Sequence, residues 1–129
     1  MLSKNHRVRL EESLELIEYC IEKGVVDHQR TLGFHLAAAS MDLLNLFLHH
    51  HGFTTTSEDL NHNWFRSERR ALEKVPHEFE NKSRIVELLL AIEAKRDPLC
   101  YGVPRTEDEA EAAVREFREL ETLLRVEEV

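Results

Sequence analysis

Apolar residues recur along this chain at helical spacing, and few turn residues separate the apolar runs. The first run places Leu10, Leu14, Ile17 and Ile21 at i, i+4, i+7 and i+11, one stripe of 3.6-residue period with glutamates opposite. It predicts a helix over about Val8 to Lys23, ended by Gly24 in the left-handed position that glycine favours. A second run lies between Asp27, a good N-cap, and Gly52. It is apolar nearly all round, from Leu32, Phe34 and Leu36 to Leu46, Phe47 and Leu48. A helix without a polar face is buried on several sides, so this one is expected at the centre of a bundle or in a subunit interface. Its small run Ala37-Ala38-Ala39-Ser40 lets a neighbour approach closely.

After a connection over 53–56, Ser57 reads as the cap of a third helix, with Glu58 and Asp59 at the positive end of its dipole. Leu60, Trp64, Leu72 and Val75 fall on one side of that helix and Arg66, Arg69, Arg70 and Lys74 on the other, before Pro76. Asn81 reads as the cap of a fourth helix with the stripe Ile85, Leu88, Leu89 and Ile92. Pro98, with Asp97 biased away from helical torsions before it, predicts a bend or break at 97–98 and a stop at Gly102. Thr106-Glu107-Asp108-Glu109 is a capping box, and Ala110, Ala113, Val114, Phe117, Leu120, Leu123 and Leu124 form the buried stripe of the helix it opens. The pattern predicts an all-α fold, an up-and-down four-helix bundle with an additional C-terminal helix, as a single domain over 1–129.

Composition supports that reading. Only 4 glycines and 3 prolines among 129 residues are too few for the turns of an all-β domain. With 42% hydrophobic and 33% charged residues, the chain builds a core without metal or disulfide staples. The formal charge of −8 excludes nucleic-acid binding through bulk electrostatics, so any RNA contact needs a local basic patch. Cys20 and Cys100 show no CxxC spacing, which fits reduced thiols in the cytoplasm. The N-terminal segment leads into no apolar signal region, and His35, Ser40, Asp42 and Asn45 interrupt the run from Leu32 to Leu48. Neither a leader nor a membrane span is expected.

Candidate chemistry is sparse. His49, His50 and His51 are consecutive, and side chains about 100° apart on one helix do not converge on one ion. His62 and a carboxylate, Asp42 or Asp59, are the residues that would complete a site. The alternative is that histidines favour the negative end of a helix dipole, and no metal or cofactor is predicted. No Gly-rich phosphate loop, nucleophile elbow or HExxH motif is present. The densest polar group is Glu93 with Arg96-Asp97-Pro98-Leu99-Cys100-Tyr101. Arg96 either pairs with Glu93 on the surface, at i,i+3, or presents its planar fork in a cleft suited to phosphate.

The Arg96-Asp97 step, four intervening residues before an expected histidine, resembles the motif of the HEPN (higher eukaryote and prokaryote nucleotide-binding) superfamily. So does the helix order, with an acidic first helix, an apolar second helix ending in Leu48-His49-His50-His51-Gly52, and a late helix carrying the arginine. The resemblance spans roughly residues 8 to 126 and is nearest a small prokaryotic branch. It implies a homodimer with paired motifs facing across the interface. Active members are metal-independent ribonucleases, often toxins held by a nucleotidyltransferase-fold partner. This chain has Tyr101 where the family has histidine, and an ordinary phenol with a pKa near 10 is a poor base at neutral pH. What carries over is Arg96 and Asp97, with Tyr101 in the histidine position and Glu93 beside Arg96 as a ligand-binding residue. The expected function is a degenerate module that binds a nucleotide, RNA or a cognate protein at an Arg96-centred cleft. A ribonuclease toxin using Tyr101, or a histidine brought in from elsewhere, and a purely structural interaction protein are the alternatives.

Overall fold

A computed structural model describes residues 1–55 and 60–125, and within them the chain is all-α. Four long helices make the bundle: α1 (Ser3–Lys23), α2 (Gln29–His50), α4 (Lys82–Cys100) and α5 (Glu107–Leu123). Between α2 and α4 come a short 3₁₀ turn, His62–Arg66, and the seven-residue α3 (Glu68–Lys74). Helix α2 packs against α1, α4 and α5, and α4 packs against α5 as well. By length and composition α2 is apolar enough to cross a membrane, but most of it is buried within the bundle. The core gathers Ile17, Leu32, Leu36, Leu44, Leu88, Leu89 and Phe117, all at most 2% exposed.

Several helix boundaries differ from the sequence expectation. Helix α1 begins at Ser3 rather than near Val8, because His6 on its first turns is buried and bonds Asp42 of α2. Asp27 does not cap α2; His28 holds that position without a side-chain bond. Gly24 does end α1, at φ 123°, and its N–H bonds the Cys20 carbonyl. Phe34, expected inside, is 57% exposed.

The third helix is the largest departure. Its expected cap Ser57, with Glu58 and Asp59, lies outside the described residues. From His62 onward the expected single helix is broken at Ser67, which is extended (φ −143°, ψ 145°) and accepts a hydrogen bond from the Arg70 N–H. Ser67-Glu68 is thus an N-cap with an acidic first turn, a signal hidden inside a run that reads as continuous helix. Leu72 turns outward, and Phe65 takes its place in the core at 2% exposure. With α3 this short, α5 serves as the fourth long helix of the bundle.

Helix α4 passes through Pro98 without a break and ends at Cys100. A proline has no N–H, but the Tyr101 N–H still bonds the Asp97 carbonyl, at 2.8 Å, and closes the final turn. Arg30 Nε donates to the Cys100 carbonyl at 2.8 Å and so satisfies one of the end groups that a helix C-terminus leaves open. Asn81 stands before α4 in the left-handed conformation, φ 66°, and its side chain makes no cap bond. The capping box of α5 places Thr106 Oγ1 as acceptor for the Glu109 N–H, as its sequence predicts.

Candidate functional site

The outward-facing residues of α4's second half meet the 3₁₀ turn and the start of α3, leaving a groove of about 440 Å³ between them. Phe65, Leu90 and Ala94 supply its apolar lining, and Arg66, Ser67, Glu68, Glu93, Arg96 and Asp97 its polar groups. Ser67, at the break between the 3₁₀ turn and α3, lines this groove.

Glu93 is the pivot. Its side chain is only 9% exposed, and both oxygens are engaged. Oε1 lies 3.1 Å from Arg96 Nη1, and Oε2 lies 2.9 Å from His62 Nδ1. A carboxylate only accepts, so His62 carries a proton on Nδ1 and donates it to Glu93. Arg96 is 25% exposed, and its Nε also faces Asp97 at 3.5 Å. A guanidinium has five N–H donors, and among the described residues Nη2 has no protein partner. The i,i+3 pair expected for Arg96 therefore forms, but at the edge of a groove and on a carboxylate that is nearly buried.

The site residues named from the sequence divide between two places. Arg96, Asp97 and Glu93 share the groove. Tyr101 does not. Its ring is 68% exposed and belongs to a separate depression with Asp27, Gln29 and Arg30, where the Arg30 guanidinium sits 5.9 Å from the ring centre. With the helix continuous through Pro98, residues 96 and 101 are five apart, and that spacing turns them to different sides of α4. Of the basic run, only Arg66 reaches the groove: Arg69 pairs with Glu73 at 3.2 Å, and Lys74 covers the Trp64 ring.

His62, which bonds Glu93 from outside the groove lining, is the residue that the sequence does not point to. There it reads as a partner for His49 to His51, yet it turns to Glu93 instead. Isolated on a loop between helices, it gives no sequence signal of this pairing. It lines a second groove, of about 610 Å³, with His6, Asp42 and His35. There His6 Nδ1 lies 2.8 Å from Asp42, and burial pushes the Asp42 carboxyl up while the His6 bond partly offsets it. Ser13 Oγ lies 3.0 Å from His35 Nδ1, and burial pushes the His35 imidazole down, against a smaller upward pull from Glu12. His49 bonds Thr54 Oγ1 at 2.8 Å, and His51 stacks on Phe53. Among the described residues, no group of three His, Cys, Asp or Glu side chains is arranged to hold a metal ion; Asp59 lies outside them.

Burial raises the pKa of both thiols, Cys20 and Cys100, although Arg96 works against the rise at Cys100. Neither is activated as a nucleophile. What remains as chemistry is a partly exposed guanidinium, held in orientation by a carboxylate that a histidine also holds. No protein family, no curated protein and no solved structure matches this chain.

Proposed function

We propose that the chain is a degenerate HEPN-like module that binds a phosphate-bearing ligand, a nucleotide or a short RNA, in the groove centred on Arg96. The observation that carries this reading is the geometry of Arg96: one edge fixed by Glu93, Nη2 without a partner among the described residues, and the Arg66 side chain lining the same groove. A fork held on one side loses less conformational freedom when it binds an oxyanion on the other. The apolar lining of Phe65, Leu90 and Ala94 suits a ribose or base beside the phosphate. The groove also contains Glu68, Glu93 and Asp97, so its attraction for anions is local and modest.

A second reading is favoured by one specific contact. The His62–Glu93 bond leaves the imidazole Nε2 as a base, oriented by a carboxylate that also holds the arginine. In a metal-independent ribonuclease His62 would take the part that Tyr101, on the far side of α4, does not fill.

Titration of the wild type and Arg96→Ala with a panel of nucleotides and short RNAs, with gel analysis of each RNA, tests both readings. Loss of a charge-assisted contact to phosphate costs about 1.5–3 kcal/mol, a ten- to hundredfold weaker ligand. The Glu93 carboxylate is 9% exposed and keeps its His62 bond in the variant, so Arg96→Ala also lowers stability, by about 1–3 kcal/mol, and the titrations are run at a temperature where melts show both proteins folded. Binding without cleavage, lost in the variant, supports the module; cleavage lost in both Arg96→Ala and His62→Ala supports the ribonuclease. If the wild type binds none of the panel, both readings fail.

A further inference from the structure

The contact between His62 and Glu93 places an imidazole beside the carboxylate that holds Arg96. Arg66 and Arg96 face three carboxylates, Glu68, Glu93 and Asp97, so carboxylates outnumber guanidiniums by one. His62 lines the second groove and stands 2.9 Å from one of those carboxylates, Glu93. The imidazole is the side chain whose charge ordinarily changes between about pH 5 and 8. On protonation His62 becomes a cation bound to Glu93, and the excess negative charge around Arg96 disappears.

From this geometry we infer that His62 is a positioning residue that gates the Arg96 groove by pH, raising its affinity for phosphodiesters as the pH falls. The inference rests on the phosphate-binding reading above and assigns that site its regulation. With His62 neutral, Glu93 compensates Arg96 alone, and an incoming phosphate must compete with it. With His62 charged, one carboxylate serves two cations, and Arg96 is left with charge for the ligand. The other groups facing His62 from the packed elements are Asp42 of α2, which is close enough to feel its charge, and Arg9 and His6 of α1 across the second groove. Asp42 is bonded to His6, and Glu12 and His35 lie in the same groove. Glu93 bonds both His62 and Arg96, so the coupling runs through it.

The test uses labelled hexauridylate, whose phosphodiesters keep their charge over the range, with fluorescence anisotropy from pH 5.5 to 8.0 at fixed ionic strength. One unit charge added a few ångströms from a half-exposed ligand predicts wild-type binding roughly five- to tenfold tighter at pH 5.5 than at 8.0. His62→Gln keeps an amide donor for Glu93 but cannot become charged. Whatever its affinity at pH 8.0, it should show a profile that stays flat as the pH falls. A wild-type profile already flat, or a His62→Gln profile as steep as the wild type's, overturns the gate. Arg96→Ala separates the two claims: equal binding by this variant and the wild type at both ends of the range means that the phosphate site itself is wrong. Thermal melts of each variant at pH 8.0 confirm that the comparison is between folded proteins.

Discussion

Gly33 is where α2 touches the turn of α4 that carries Arg96, and a methyl group there tests that contact by the sign of its effect. A Cβ at position 33 would lie 2.7 Å from Leu99 Cβ, 3.3 Å from Cys100 Sγ and 3.5 Å from the Arg96 carbonyl oxygen. Carbon atoms pack at about 3.5–4.0 Å, so the first distance is short by roughly an ångström. Leu99 Cβ is attached directly to the backbone and cannot rotate away, so α4 itself has to move. Overpacking of this kind costs about 1–3 kcal/mol. In an uncrowded helix the same substitution would gain about 1 kcal/mol from helix propensity alone. Gly33→Ala should therefore be neutral to destabilising by about 2 kcal/mol, with a loss near 1 kcal/mol as the central expectation. At about 4 °C for each kcal/mol in a domain of this size, Tm falls by about 4 °C, where the uncrowded case raises it by a similar amount. Thr31→Ala, on the exposed side of the same helix, serves as the propensity control and should raise Tm slightly. A Gly33→Ala protein more stable than the wild type by about 1 kcal/mol would refute the close approach of α2 and α4, and with it the placement of Arg96.

Two further perturbations concern buried polar groups. Lys82 is 7% exposed, and its ammonium donates to the Val75 carbonyl at 3.0 Å and the His77 carbonyl at 2.7 Å, with Glu78 at 3.3 Å. Lys82→Met leaves both carbonyls without that donor and should cost about 2–4 kcal/mol, read as a lower urea midpoint at unchanged slope; a loss under about 0.5 kcal/mol would mean that water replaces the amine. His35 has its folded pKa lowered by burial from 6.5, so the unfolded chain binds more protons, and stability from this group is full above about pH 6.5 and falls as the pH drops below it. His35→Gln should flatten the decline of Tm between about pH 6.5 and 5, and an unchanged decline would assign it to other groups.

Much of the fold is legible in the sequence because apolar periodicity survives burial. The stripes of Ile85, Leu88, Leu89 and Ile92 and of Ala110, Ala113, Phe117 and Leu120 are buried as their spacing predicts. The capping box at Thr106 is equally readable, since its donors and acceptors are all local. Features set by contacts between distant residues do not show. Pro98 stays within α4, where the α2 contact through Gly33 and the Arg30 bond to Cys100 hold the last turn. The third helix breaks at Ser67, where the local cap signal is masked by apolar spacing that points to Leu72 rather than Phe65 as the buried residue. The same division runs through the site. Arg96 and Glu93 pair as their spacing allows, whereas Tyr101 lies past the end of a helix that does not break at Pro98 and lines a separate depression. His62 is 31 residues from Glu93, too far for any local pattern to mark the two as neighbours.

The proposed function depends on place, because it assigns a phosphate-bearing ligand to Arg96 in the groove between α4 and the start of α3. Titrating uniformly labelled protein with hexauridylate and following amide and arginine side-chain NMR signals locates that ligand residue by residue. Progressive, saturable shifts are expected at the Arg96 Nε–H, at the amides of residues 65–68 and at those of 90–97, with the far side of α4 at Tyr101 and Gly102 unmoved. Shifts confined to Tyr101, or to the second groove around His35 and Asp42, would place the ligand elsewhere, and no shifts at saturating hexauridylate would remove the site altogether.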